Sequence, residues 1–365
     1  MRVLVVNAGS STVKLALLGD ADELVDEREL AAPRAELDRE QLRAALGEGL
    51  GEADAVGHRI VHGGTRFREA VAVNPGVREA LAGLVDLAPL HQPKSLAALD
   101  AVSRALPGLP AVACFDTAFH ATMPDAAATY ALPAAWRERW GLRRYGFHGL
   151  SHAWVAHRAP ELASLSGGDV RIVSCHLGAG ASLCAIRGGH SIDTTMGFTP
   201  LEGLVMATRS GSVDPGLVLW LLEHEGMAEA ELARALEHES GLLGLSGTAD
   251  MREVLAGADA GDAVTTRALE VYLHRLRAGI AAMAAALGGI DVLAFTGGVG
   301  ERSPEVRAGA AEGLGFLGIT VDERRNHGPA DDRDIGGAGA RTRVVVLRAR
   351  EDLEIARQTR AALAE

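Results

Sequence analysis

One pattern occurs twice in this chain and restricts its fold more than any other feature. Residues 3–18, VLVVNAGSSTVKLALL, and residues 171–186, RIVSCHLGAGASLCAI, each read as an apolar strand, a turn of small residues and a second apolar strand. The β-branched and aliphatic flanks favour strands. A turn of Gly, Ala and Ser lets backbone N–H groups face outward, and hydroxyls add donors, which suits a phosphate. Two copies of one architecture predict two similar α/β halves. A nucleotide lying between the halves would touch both turns.

The bulk numbers are compatible with that picture. The 365 residues suffice for two domains. A formal net charge of −12 without a basic run argues against a nucleic-acid partner, because phosphate neutralisation supplies most of that affinity. The cysteines, Cys114, Cys175 and Cys184, each lie in an apolar stretch and read as buried free thiols of a cytoplasmic protein. The opening apolar run is interrupted by Asn7, serines and Lys14, unlike a secretory leader. The longest uncharged helical stretch, from about Ala278 to Ile290, ends at Asp291 and is too short to span a membrane. Only Lys14 and Lys94 are lysines, which points to a held function for Lys14 on the first hairpin.

Along the chain, residues 23–52 are charged, and ELDREQLRAALGEGL predicts a surface helix. AVGHRIVHGG predicts a buried strand ending in a glycine pair. REALAGLVDLAPL predicts a helix stopped by Pro89 and Pro93. LPAVACFDTAF predicts a strand with Asp116 at its carboxyl end, where α/β folds place chemistry. After the second hairpin come long helical runs, then IDVLAFTGGVGE, a buried strand opening into a glycine-rich turn. Arg343 to Leu347 predicts a strand, and EDLEIARQTRAALA a closing helix. No G-x-x-x-x-G-K-[ST] occurs, which excludes a P-loop enzyme. His58/His62 and His148/His152 are spaced as zinc ligands on a helix would be. HRIVH reads as a strand, however, where such residues lie ~13 Å apart.

NAGSSTVK, GHRIVHGG, CFDTAFHATMP, RRYGFHGLSH, HLGAGASL, ATRSGSVDPG, SGLLGLSG and FTGGVGERSPEVR occur in this order. Together they resemble the acetate kinase family, whose neighbours are the propionate and butyrate kinases. The resemblance runs from Val3 to about Ala356. It implies an α/β duplicated two-domain sugar kinase/actin-like (ribonuclease H-like) fold with a nucleotide cleft between domains. Residues 1–120 plus 351–365 would form the N-terminal domain, and residues 121–350 the nucleotide-binding domain. It also implies a homodimer, and reversible transfer of the γ-phosphoryl of ATP to acetate, with Mg²⁺ or Mn²⁺, giving acetyl phosphate and ADP.

The same resemblance implies roles for individual residues. Arg59, His148 and Arg209 would meet the negative charge on the migrating phosphoryl group. Arg59 would also hold the acetate carboxylate, and Asp116 matches the family's catalytic acid. Asn7 and Glu351 match magnesium-linked positions, and Ser10, Thr12 and Lys14 match the first phosphate hairpin. His176, Leu177, Gly178, Ala179 and Gly180 match the second. Asp250, Met251 and Arg252 match a ribose and adenine contact. Gly298, Val299, Gly300, Glu301 and Arg302 match the glycine-rich turn. Val61, Leu90, Phe147 and Pro200 match the apolar wall around the acetate methyl group. The family has HLGNG where this chain has Ala179, and GENS where it has Arg302. Both departures touch the phosphoryl-donor side. They point to a weakened ATP site, to another donor such as GTP or pyrophosphate, or to Arg302 replacing the lost amide. Gln92 stands where the family commonly has Asn. The run before Glu351 is Leu347-Arg348-Ala349-Arg350 instead of a Pro-Thr-Asn-like one, which leaves Glu351 on helix register alone. One methylene is a weak discriminator, ~1–3 kcal/mol, so propionate is a plausible second substrate. A nucleotide-binding sensor without turnover is the remaining reading.

Overall fold

The computed structural model describes residues 1–9, 12–31, 39–47, 49–88, 92–329 and 331–364. Backbone contacts divide the chain into two compact units. One comprises Met1–Ala121, Phe147–Trp154 and Arg350–Glu365, the other Thr122–Gly146 and Val155–Ala349.

The first unit is built on a six-stranded sheet. Its strands are β1 (Val3–Ala8), β2 (Thr12–Leu18), β3 (Leu24–Ala31), β4 (Ala55–Ile60), β5 (Val71–Ala72) and β6 (Ala111–Phe115), in the order β3-β2-β1-β4-β6-β5. β1 and β2 form the antiparallel hairpin, and β1, β4 and β6 run parallel. The near-continuous apolar run of β1 follows from cover on both faces. Leu4 and Val6 join Leu42, Leu46, Ala98 and Val102 on one face. Val3 and Val5 join Ile355, Ala356 and Leu150 on the other.

The second unit repeats the scheme. Its strands are β7 (Arg171–Leu177), β8 (Ala181–Arg187), β9 (His190–Thr194), β10 (Val292–Thr296), β11 (Arg333–Asp334) and β12 (Arg343–Val346), in the order β11-β12-β10-β7-β8-β9. Read from the other edge, this is the order of the first sheet. Each has an antiparallel three-strand meander, two further strands parallel to its first strand, and a two-residue antiparallel edge strand. The duplicated α/β architecture expected from the two hairpins is present. Helix Ala263–Ala286 packs on β8 and buries Tyr272, Leu276, Ile280 and Met283.

Three local expectations need correction. The charged stretch after Glu23 begins with strand β3, which is mostly exposed and therefore lacks the alternation of a half-buried strand. Pro93 opens helix Gln92–Ala105 instead of stopping the preceding one, as its missing N–H allows in a first turn; Pro89 lies outside the described residues. The glycine-rich turn after β10 is helical over Gly297–Arg302. Gly297 enters it at φ +79°, where a Cβ would come within 2.7 Å of the Leu177 carbonyl oxygen. Only glycine lets this helix leave the strand against the neighbouring hairpin.

Candidate active site

In the first unit, parallel strand ends gather three polar side chains, and the start of a helix adds a fourth. Register places Asn7 of β1 beside Arg59 of β4, and Arg59 opposite Cys114, two residues before Asp116. Arg59 Nη2 donates to Asp116 Oδ2 at 2.6 Å, and Nε reaches both carboxylate oxygens at 3.1 and 3.2 Å. Arg59 Nη1 donates to Asn7 Oδ1 at 3.2 Å, and Asn7 Nδ2 donates to Glu351 Oε2, also at 3.2 Å. Glu351, the first residue of helix Glu351–Ala364, lies 4.0 Å from Arg59 Nε. Asp116 is 2% exposed and Arg59 18%. Burial alone would lower the Arg59 pKa, but the Asp116 and Glu351 carboxylates outweigh it and raise it above its usual value. The structure therefore brings Asn7, Arg59, Asp116 and Glu351 into one bonded cluster.

His148 is attached to that cluster through the backbone. It sits at φ +56°, between buried Phe147 and the start of helix Gly149–Leu162. The Gly149 N–H donates to the Asp116 carbonyl at 2.8 Å, and a Cβ on Gly149 would lie 2.1 Å from that oxygen. The turn bearing His148 thus lies directly on the turn bearing Asp116. Val61, just past β4, is buried. Gln92 binds both the N–H and the C=O of His62 at 3.1 Å, pinning the chain just past Val61. Leu90 and Ser10 lie outside the described residues. Thr12 closes the first hairpin by accepting from the Gly9 N–H, whereas Lys14 is 66% exposed, its Nζ 3.9 Å from Glu29.

In the second unit, Arg209 is held by neutral groups. Nη1 donates to the Pro200 carbonyl at 3.3 Å and lies 3.7 Å from Met206 Sδ. Burial lowers the Arg209 pKa, partly countered by Glu237. Its charge is consequently little used within the protein, which suits a group that must stabilise a passing anion.

The second hairpin walls a cavity of about 480 Å³. Of the residues singled out in the sequence, Gly178, Ala179, Asp250, Met251 and Arg252 line it, as do Gly298, Val299 and Arg302. His176, Leu177, Gly180, Gly300 and Glu301 do not, and Leu177 and Gly300 are buried. The turn is pinned by Ala207 N–H donating to the Ala179 carbonyl at 3.1 Å. Asp250 caps helix Met251–Asp259 and pairs with Arg252, whose hydrogen bond holds the Asp250 carboxyl down at about 2. Arg302 is exposed and makes no hydrogen bond or ion pair among the described residues. Sequence reasoning missed Ala207, Leu242, Ala249, Tyr272 and Ser303. The first two stand inside quoted motifs, ATRSG and SGLLGLSG. Tyr272 stands mid-helix without any local signal, yet it walls the cavity at 4% exposure with a hydroxyl that finds no partner among the described residues.

An arginine–carboxylate cluster at one set of strand ends, and a hairpin-walled cavity on a unit of the same topology, place the chain among the duplicated α/β phosphotransferases. The sequence profile of the acetokinase family matches residues 36–357. The acetate kinase of Gloeobacter violaceus is 48% identical over 309 residues, 84% of this chain and 76% of that protein. The acetate kinase of Nostoc punctiforme is 42% identical over 98% of both chains. Among solved structures, Porphyromonas gingivalis acetate kinase superposes with a TM-score of 0.91 at 36% identity, covering 99% of each chain. A propionate kinase from Francisella tularensis does so with 0.91 at 33%, also over 99% of each. The chain belongs to the acetokinase family, whose members move phosphate between ATP or ADP and a carboxylate.

Proposed function

We propose that this protein is an acetate kinase, transferring the γ-phosphoryl group of ATP to acetate to give acetyl phosphate and ADP. The observation that carries this reading is Arg59, a guanidinium fixed on one edge by a nearly buried carboxylate and placed at the carboxyl ends of parallel strands. An acetate oxygen forms its bond to phosphorus as the bond to the β–γ bridging oxygen breaks, and that electron pair leaves with ADP. Acetate, like other carboxylic acids, is already ionised at neutral pH, so no general base is needed. Asp116 then orients Arg59, as its hydrogen bonds suggest, and moves no proton. Arg59 holds the acetate carboxylate. His148 and Arg209 meet the charge on the equatorial phosphoryl oxygens, and Val61, Phe147 and Pro200 enclose the methyl group. Glu351 would offer Mg²⁺ a carboxylate oxygen, and the neighbouring Asn7 its amide oxygen once that oxygen is released from Arg59, hard donors for an ion that keeps most of its waters; here the Asn7 amide N–H donates to Glu351 and its oxygen accepts from Arg59. When bound, Mg²⁺ neutralises phosphate charge.

The mostly apolar cavity accepts the nucleotide base, and Arg302 reaches the phosphates in place of the amide lost at Ala179. A homodimer is supported by helix Pro215–Glu223, which exposes the large apolar side chains Leu217, Leu219 and Trp220, with exposed Val213 just before it. A solution mass equal to one 38.0 kDa chain would rule that out. No helix among the described residues is long and apolar enough to cross a membrane, and all three cysteines are buried free thiols, which fits the cytoplasm.

The test is turnover with acetate or propionate, Mg²⁺ and ATP, GTP or pyrophosphate, with acyl phosphate trapped by hydroxylamine. Acetate with ATP is expected to be the best pair. Arg302→Asn is expected to raise the KM for ATP about fivefold, the size of one exposed charge-assisted hydrogen bond. Turnover with pyrophosphate alone would move the proposal to another donor, and ATP binding without any turnover would favour a sensor.

A further inference from the structure

The helical turn Gly297–Arg302 supplies Gly298, Val299 and Arg302 to the cavity wall, with Ser303 following. Its carboxyl end is closed by a charged side chain from the next helix. Arg307, on Pro304–Ala311, is 1% exposed. Its Nη1 donates to the carbonyls of Gly300 at 2.9 Å and Glu301 at 2.8 Å. Nε and Nη2 donate to Asn326 Oδ1 at 2.8 Å and to the Asn326 carbonyl at 2.6 Å. Asn326 is itself 1% exposed and returns a bond from Nδ2 to the Pro304 carbonyl at 2.8 Å. Every acceptor of the guanidinium is neutral. Burial, with Arg333 nearby, pushes the Arg307 pKa down to about 10, and Glu305 opposes this only in part. The side chain stays charged at neutral pH.

A buried cation bonded only to neutral groups is an expensive way to fill space. Its charge is matched here by the carbonyl end of a short helix, whose partial negative charge favours a cation. Four hydrogen bonds from one rigid fork fix where that helix stops and how it sits on helix Glu323–Asn326. We propose that Arg307, with Asn326, is a positioning residue for nucleotide: it holds the Gly297–Arg302 turn in the pose that forms the cavity wall. The inference rests on the kinase reading above, since it takes the cavity as the nucleotide site.

Without the fork, the turn samples other poses, and apparent nucleotide affinity falls by the fraction of chains still in the competent one. If that fraction is a tenth, Kd rises tenfold. Arg307→Met is therefore expected to raise the Kd for ATP, measured by calorimetric titration, about tenfold. The KM for acetate should stay within about twofold, because the carboxylate cluster stands on the other unit's strands. Arg307→Lys should recover part of the loss, and Asn326→Ala should shift Kd in the same direction by less. A merely structural role would lower the melting temperature and the active fraction without separating the two substrates. Folded Arg307→Met with wild-type ATP affinity, or with both substrates affected equally, overturns the proposal. If Arg307→Met does not fold, unchanged ATP affinity in both Arg307→Lys and Asn326→Ala overturns it. Wild-type protein that binds no ATP would instead overturn the kinase reading on which it depends.

Discussion

Arg59→Ala is expected to lower kcat for acetyl phosphate formation by about 10³, the scale seen when a transition-state cation is removed from a phosphoryl-transfer site. Two anions must meet in this reaction, and each unit charge left unmatched at a few ångströms in a poorly solvated site is worth several kcal/mol. Arg209→Ala is expected to cost about as much in kcat. The two variants should differ in stability. Arg59 is bonded to a carboxylate that is 2% exposed, so its removal takes the forked guanidinium away from a buried charge. Arg209 is bonded to a carbonyl and lies against a thioether, and no buried ion is left behind. The thermal midpoint should therefore drop clearly in Arg59→Ala and little in Arg209→Ala. Arg59→Lys keeps the charge but cannot reproduce the forked contact with Asp116, so it should not restore activity. Near-normal kcat in both alanine variants would remove the assignment of this site.

What the sequence discloses of this arrangement depends on how local each determinant is. Both hairpins are legible because strand, turn and strand are contiguous, and because small residues between β-branched ones have few other uses. The duplication is legible for the same reason. Asp116 is legible as a strand-end carboxylate; that it grips Arg59, 57 residues earlier, is a matter of strand order, which no local pattern states. β3 is hidden because an exposed edge strand, LVDERELA, shows no apolar period. The turn Gly297–Arg302 reads as a loop because glycine is a poor helix former, and tertiary contacts with the Leu177 hairpin override that preference. Tyr272 and Arg307 escape because each breaks a rule of composition. Among the described residues, one is a phenol buried without a partner, and the other is an arginine buried without a carboxylate.

Acid should unfold the first unit well before its carboxylates are protonated. His58, in β4, is 1% exposed, and neither ring nitrogen has a hydrogen-bond partner among the described residues. Burial pushes its pKa from the ordinary 6.5 down to about 4, with Asp100 opposing. His62 is fully buried, its Nδ1 accepting from the Gly64 N–H, and burial likewise brings it to about 4. Both are neutral in the folded protein and take up protons once unfolded. The unfolded chain binds more protons than the folded one between pH 6.5 and 4, so stability rises with pH across that window and falls as pH drops through it. Each histidine contributes roughly 3 kcal/mol over the full descent, and the two together more than half of a typical domain's stability. Below pH 4 the loss should pass to carboxylates held low by arginine partners, such as Asp100 and Asp291. Unfolding at pH 5 is expected to take up close to two protons, measured by calorimetry in buffers of different ionisation heat, and His58→Leu should reduce that by about one. Proton uptake near zero at pH 5, or a thermal midpoint that is flat from pH 7 to pH 5, would show that these rings are charged in the folded chain and that β4 is solvated at His58. Because β4 also carries Arg59, the same strand that loses its neutral core at low pH holds the substrate cation. Activity should fall together with the first unit's unfolding transition, with no earlier step.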